Sequence, residues 1–191
     1  MANVVLTHSA LGLDSNIESW AEWLRGEGHQ VMLVDLYGGD TFTNLRDGHA
    51  RAESGKMLDY AAMVSETAVE AESPVVLMGF SLGAVASEIA ALTGPGVAGL
   101  LLIGGAAGPK WFGEPKWPQG LRGQLHYAVD DAWMEVDGAA DLVAHAPEGA
   151  LEVFPYPGSS HLFGFPEHAD YDALAADTLR TEAKAFLASF D

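Results

Sequence analysis

The sequence predicts an α/β fold in which a parallel sheet is covered by helices on both faces. Three observations point there. Apolar strand-like runs alternate with helical patterns at spacings that suit βαβ crossovers. The runs are continuously apolar, as strands buried on both faces require. One of them passes straight into a helical pattern through Gly79-Phe80-Ser81-Leu82-Gly83.

Taken in order, "NVVLTH" (3–8) is a buried strand. Residues 16–28 place Ile17, Trp20, Trp23 and Leu24 on one helical face, with Gly28 near the end. "QVMLVDL" (30–36) is a second strand. Residues 37–55 are polar and glycine-rich and read as loop, whereas 56–72 are helical. Pro74 precedes the strand 75–79, and the helix 82–93 leads to a fourth strand at 97–104. A Gly/Pro/Trp loop spans 105–122. The remaining elements are a strand at 123–129, a short helix at 137–145, a strand at 150–156 and a closing helix at 171–190.

Composition bounds the function. The 191 residues favour one domain covering the whole chain, 1–191, and 49% hydrophobic against 19% charged residues suits a globular core. The net charge of -18 argues against nucleic acid and anionic membranes as partners, since phosphates are repelled. No apolar run approaches the ~20 residues of a membrane span. The opening "MANVVLTHSALGLD" has no basic region or cleavage site, which makes the cytoplasm the expected compartment. The absence of Cys excludes disulfides and a thiolate nucleophile. No metal-ligand spacing occurs, and no cofactor is expected. The sequence does not set an oligomeric state.

In open parallel sheets ligands bind beyond the carboxyl ends of the strands, so the residues after each strand are the ones to inspect. Ser81 follows the third strand. A serine on a sharp strand-to-helix turn needs small residues two before and two after it, and Gly79 and Gly83 meet that need. As a poor nucleophile at neutral pH, serine requires a base. His161 follows the last strand in "FPYPGSSHLFGF" and is the candidate. His8 closes the first strand and suits lining the site or orienting a loop, His126 suits a satisfied core group, and His29, His49, His145 and His168 read as surface residues. A carboxylate must hold the base, and Asp130 and Asp131 both follow the fifth strand; spacing leaves the two equal. An oxyanion hole needs two N–H donors. Leu82 supplies one by position, and Ser9 or Ala10 the other. Trp111, Phe112 and Trp117 are candidates to roof an apolar pocket, with Phe80 and Phe163 flanking the site.

Together, "LTHSALGLDSNIESWAEWLRGEGHQVMLVDLYGGDTF", "GFSLGA", "HYAVDDAWM" and "YPGSSHLF" with the closing helix resemble the dienelactone hydrolase family of α/β-hydrolases over nearly the whole chain. The resemblance implies a three-layer sandwich with strand order 2-1-3-4-5-6 and no cap domain. It implies Ser81 as nucleophile, Asp131 as acid, His161 as base, and Leu82 and Ala10 N–H as the oxyanion hole. Two positions depart from the family pattern: Ser81 stands where cysteine is usual, and Ser9 where a glutamate follows the first strand. Ser9, Phe80, Trp111, Trp117 and Phe163 are the expected substrate contacts. For the basic pair that holds the family's substrate carboxylate, Arg46, Arg51, Lys110 and Arg122 are the loop candidates. The expected partner is a small ester, lactone or thioester. The competing readings are a catalytically idle binding module, or an acyltransferase or peptidase on the same fold.

Overall fold

A computed structural model describes residues 1–190. Six strands, β1 (Asn3–Thr7), β2 (Gln30–Val34), β3 (Val75–Phe80), β4 (Val97–Ile103), β5 (Arg122–Ala128) and β6 (Leu151–Tyr156), form one sheet. All neighbours pair in parallel, in the order β2-β1-β3-β4-β5-β6. This is the order expected. It places the switch in direction beside β1 and β3, so the loops leaving their carboxyl ends meet there.

The helices among the described residues are α1 (Ser15–Gly26), α2 (Leu45–Glu53), α3 (Met57–Glu70), α4 (Leu82–Thr93), α5 (Val136–His145) and α6 (Ala173–Ala188). Strand side chains alternate between two apolar layers, as a pleated strand dictates. Val5, Leu77, Leu100, Leu102 and Leu125 join the layer beneath α3, α4 and α5. Val4, Leu6, Val76, Met78 and Leu101 join the layer beneath α1 and α6, where Trp20 is fully buried. Asp14 starts α1 by accepting the Asn16 and Ile17 N–H groups, and Asp172 starts α6 by accepting those of Leu174 and Ala175. No helix among the described residues is long and apolar enough to cross a membrane.

One stretch differs from the sequence expectation. Residues 37–55 are not all loop, because α2 runs through their second half. Its signal was a cap rather than a periodic apolar face. Asn44 accepts the Asp47 N–H at 3.0 Å while its own amide donates to the Asp47 carboxylate at 2.8 Å. Gly48 lets the helix lie directly against the first-strand loop, since a Cβ there would collide with the Ala10 carbonyl. The loop 105–122 carries a single 3-10 turn, Pro109–Phe112, and no cap domain interrupts the sheet.

Candidate active site

The turn after β3 is built from close backbone approach. A Cβ at Gly83 would come within 2.5 Å of the His8 carbonyl and 2.6 Å of that of Thr7, and one at Gly79 would strike the Gly83 carbonyl. Only glycine fits either place. Ser81 between them adopts φ 51 and ψ -111, a strained conformation for a residue with a side chain. Its N–H donates to the Ile103 carbonyl at 2.7 Å, which ties the turn to the end of β4. The strain lifts the hydroxyl clear of the sheet, and α4 begins with the next residue.

His161 and Asp131 come to this hydroxyl from β6 and β5. The ladder between those strands continues past their ends: Val129 N–H donates to the Tyr156 carbonyl and Asp130 N–H to that of Gly158, each at 2.9 Å. This extension brings the loop of Asp131 against the loop of His161. The Asp131 Oδ2 lies 2.6 Å from His161 Nδ1, and His161 Nε2 lies 2.7 Å from Ser81 Oγ. A carboxylate only accepts, so Nδ1 carries the proton and Nε2 is free to accept from the serine. The second Asp131 oxygen accepts the Trp133 N–H at 2.8 Å, which fixes the carboxylate plane. Asp131 and His161 are 7% and 3% exposed, while Asp130 next door is exposed. Burial therefore separates the two acids that spacing left equal.

These groups open into a cavity of about 480 Å³, a size suited to a small ligand. Ala10 and Leu82 line it. None of the described hydrogen bonds uses the Ala10 N–H, and Leu82, as the first residue of α4, has an N–H with no partner inside the helix. Ala10, Leu82 and Ser81 thus share one cavity lining. Ser9 is fully buried and does not line the cavity, contrary to expectation. Its hydroxyl accepts the Leu11 N–H and its carbonyl the Gly12 N–H, so it shapes the loop that presents Ala10. His8 Nδ1 donates to the Ser9 carbonyl at 2.6 Å, and its Nε2 accepts the Leu36 N–H at 2.9 Å. Burial lowers its pKa and keeps it the neutral brace of that loop.

Three expected substrate contacts besides Ser9 are corrected. Phe80 is 1% exposed and packs on Trp20 and Phe165, because consecutive residues of a strand face opposite ways and Ser81 takes the open side. Phe163 is equally buried and packs on Tyr156, pegging the histidine loop to the core. Trp117 is half-buried, donates to the Leu121 carbonyl at 3.0 Å and staples its own loop. Trp111 does line the cavity. Sequence reasoning missed the α2 wall (Leu45, His49, Ala52, Glu53) and Trp133, which follows Asp131 and stands beside the His161 ring.

The other histidines divide. His126 is buried in β5, with Nδ1 bonded to the Tyr156 hydroxyl and Nε2 to Gln124; desolvation pushes its pKa down to about 3. His49 is exposed, as the sequence suggested, and also lines the cavity, whereas His29 is buried with Nδ1 accepting the Ala2 N–H and is not the surface residue expected. A buried group outside the expected set is Glu88 on α4. It accepts the Ala107 N–H at 2.7 Å and the Gly108 N–H at 2.9 Å. Burial outweighs those two bonds and raises its pKa to about 7. Glu88 thus straps the loop after β4, whose Ala106 and Ala107 line the cavity, onto the helix that carries Ser81.

This sheet order, with a serine on a strained strand-to-helix turn facing a buried histidine and carboxylate, defines an α/β-hydrolase-like protein. The chain belongs to the dienelactone hydrolase family, whose model matches residues 1–190. No curated protein matches it in sequence. Its fold is similar to that of a dienelactone hydrolase-like promiscuous phosphotriesterase from metagenomic libraries (TM-score 0.82, 18% identity, covering 100% of this chain and 87% of that one). It is also similar to a cold-adapted esterase from an Arctic intertidal metagenomic library (TM-score 0.65, 17% identity, 93% and 82% covered). A third similar structure is mouse alpha/beta hydrolase domain-containing protein 10 (TM-score 0.67, 13% identity, 100% and 90% covered). Membership of that family makes the protein a hydrolase, and the neighbours share its fold.

Proposed function

We propose that the protein is a serine hydrolase that cleaves an ester, lactone or thioester of a small substrate through an acyl-enzyme on Ser81. The observation that carries this reading is the hydrogen-bonded chain from Asp131 through His161 to Ser81 at the floor of the cavity. Membership of the dienelactone hydrolase family and the esterase among its structural neighbours support it.

In the first step Ser81 Oγ attacks the substrate carbonyl while His161 Nε2 takes the hydroxyl proton. The Ala10 and Leu82 N–H groups receive the charge that develops on the carbonyl oxygen, each donor contributing roughly 3 kcal/mol. Asp131 keeps the imidazole in the tautomer that can accept and stabilises the imidazolium. His161 then passes its proton to the departing alkoxide or thiolate, leaving the acyl group on Ser81. In the second step His161 takes a proton from water, whose oxygen attacks the acyl carbon. Collapse returns the proton to Ser81 and releases the acid. Serine holds no resting ion pair with histidine as a thiolate can, so the base is needed at each turnover.

A panel of p-nitrophenyl esters of rising chain length, run beside lactones and thioesters, tests the reading. Wild type turns over at least one class, and Ser81→Ala lowers its kcat about 10⁴-fold or more while circular dichroism stays unchanged. A Ser81→Ala variant that keeps the wild-type rate sinks it.

A further inference from the structure

The cavity has a charge character that the chemistry at Ser81 does not require. Two carboxylates line it, Glu53 at the end of α2 and Glu135 ahead of α5, and no lysine or arginine does. The four cations considered for holding a substrate carboxylate are all elsewhere. Arg51 is bonded to Asp40 at 3.2 Å and lies over the Tyr37 ring. Lys110 is paired with Asp141 at 2.7 Å. Arg122, at the opposite end of β5 from Asp131, donates to the Ser189 carbonyl and lies over Phe190. Arg46 lies on α2 and is not part of the lining. A carboxylate entering this cavity meets two carboxylates and no lysine or arginine in its lining.

The same wall suits the opposite charge. Glu53 has only His49 as an ionic neighbour, at 3.8 Å, and the Glu135 carboxylate takes no hydrogen bond or ion pair among the described residues. Trp111 and Trp133, 61% and 45% exposed, add two indole rings. Among the described residues the arginine–ring contacts use Tyr37, Phe190 and Trp20, so neither of these rings carries an arginine, while Trp133 packs beside His49 and His161. An aromatic face beside a carboxylate is the chemistry that receives an alkylated ammonium group. The net charge of -18 draws such a substrate toward the protein over longer range.

We propose that the Ser81 cavity selects cationic esters over uncharged and anionic ones, with Glu53, Glu135, Trp111 and Trp133 as the residues that set this preference. The proposal rests on the hydrolase reading above. Three butyrate esters of similar size test it at low and at high salt: butyrylcholine, its uncharged neohexyl isostere, and the butyryl ester of a hydroxybutanoate. The expected kcat/KM is about tenfold higher for the cationic than for the uncharged ester, and about tenfold lower again for the anionic one, with both gaps shrinking as salt rises. The double variant Glu53→Gln/Glu135→Gln brings the three within about twofold. Glu70→Gln/Asp177→Asn removes the same charge from exposed helix positions outside the cavity and leaves the preference intact. Binding to Ser81→Ala, read by tryptophan fluorescence, ranks the ligands in the same order without needing turnover. Failure to turn over any of the esters, with the binding order intact, keeps the charge preference, and the hydrolase reading falls only if the p-nitrophenyl ester, lactone and thioester panel also goes unhydrolysed. An anionic ester that binds and reacts as well as the cationic one, or a preference that survives the double glutamine variant, overturns the proposal.

Discussion

At the floor of the cavity Ser81 is wedged between Gly79 and Gly83, whose missing side chains leave room for the carbonyls of Thr7, His8 and Gly83 itself. At its wall Trp111 and Trp133 stand 61% and 45% exposed on loops, and α2 buries little besides Gly48. The floor is fixed by backbone collision and by a chain of short hydrogen bonds. The wall is fixed by a few caps and ion pairs between exposed groups. A reacting atom needs the first kind of construction, because sub-ångström placement decides the rate. A surface that only selects substrates tolerates the second.

The contrast is sharpest for the two neighbouring aspartates, where the largest effect is expected. Asp131→Asn removes the acceptor that sets the His161 tautomer and should lower kcat about 10⁴-fold. Asp130→Asn, one residue away on an exposed loop, should change it less than twofold. Steady-state kinetics of the two variants break the account if their ranks reverse.

Stability gives the next test. Gly83→Ala drives a methyl group into the Thr7 and His8 carbonyls and should cost about 3 kcal/mol in urea unfolding. Gly26→Ala, at the end of α1 with nothing within 4 Å of the added atom, should instead stabilise by about 0.5–1 kcal/mol. Equal effects would mean that the turn relaxes and that its glycines are not required.

Glu88 joins the two regions, and it makes their connection pH-dependent. Its pKa rises from an ordinary 4.5 to about 7 on folding, so between those values the folded state holds the extra proton. This contribution to stability is full below pH 4.5 and is lost as pH climbs through 7, at up to about 1.4 kcal/mol per pH unit. His126 acts in the other direction. Its pKa falls from 6.5 to about 3, so its contribution is present above pH 6.5 and is lost as pH drops toward 3. Urea titrations of wild type and Glu88→Gln between pH 4 and 8 should show a stability difference that falls across the Glu88 window. A difference independent of pH contradicts the buried, proton-holding strap.

The smallest effect belongs to the wall. Trp133→Ala keeps the backbone N–H that holds Asp131 and removes only the ring, so kcat should stay within about threefold while KM rises up to about tenfold. A kcat loss approaching that of Asp131→Asn would show that the indole acts on the reacting groups and not on substrate selection.

The same contrast explains what could be read from the sequence. The strand order came with the family resemblance, and the placement of Ser81, Asp131 and His161 after their strands was legible because a sharp turn and a hydrogen-bonded chain accept few residue types. Asp131 was separable from Asp130 only by resemblance, since burial depends on how the β5 and β6 loops fold together. Phe80, Phe163 and Trp117 were expected in the cavity and are not there. Large apolar side chains near a site carry no sign of which way they face, and for these three the core was the better partner. The α2 wall stayed hidden because its helix is polar, and its only local signal was the cap between Asn44 and Asp47. Glu88 lay inside an otherwise apolar helix, where a single carboxylate gives no hint that two loop N–H groups will meet it.

The central claim is that Ser81 is a nucleophile activated by His161. It is tested most directly by exposing the folded protein to a fluorophosphonate and reading the intact mass and the labelled peptide. The account predicts a single adduct on Ser81, its absence in Ser81→Ala, and labelling slowed by orders of magnitude in His161→Ala. A folded wild type that takes up no label, or an adduct that persists in Ser81→Ala, contradicts it.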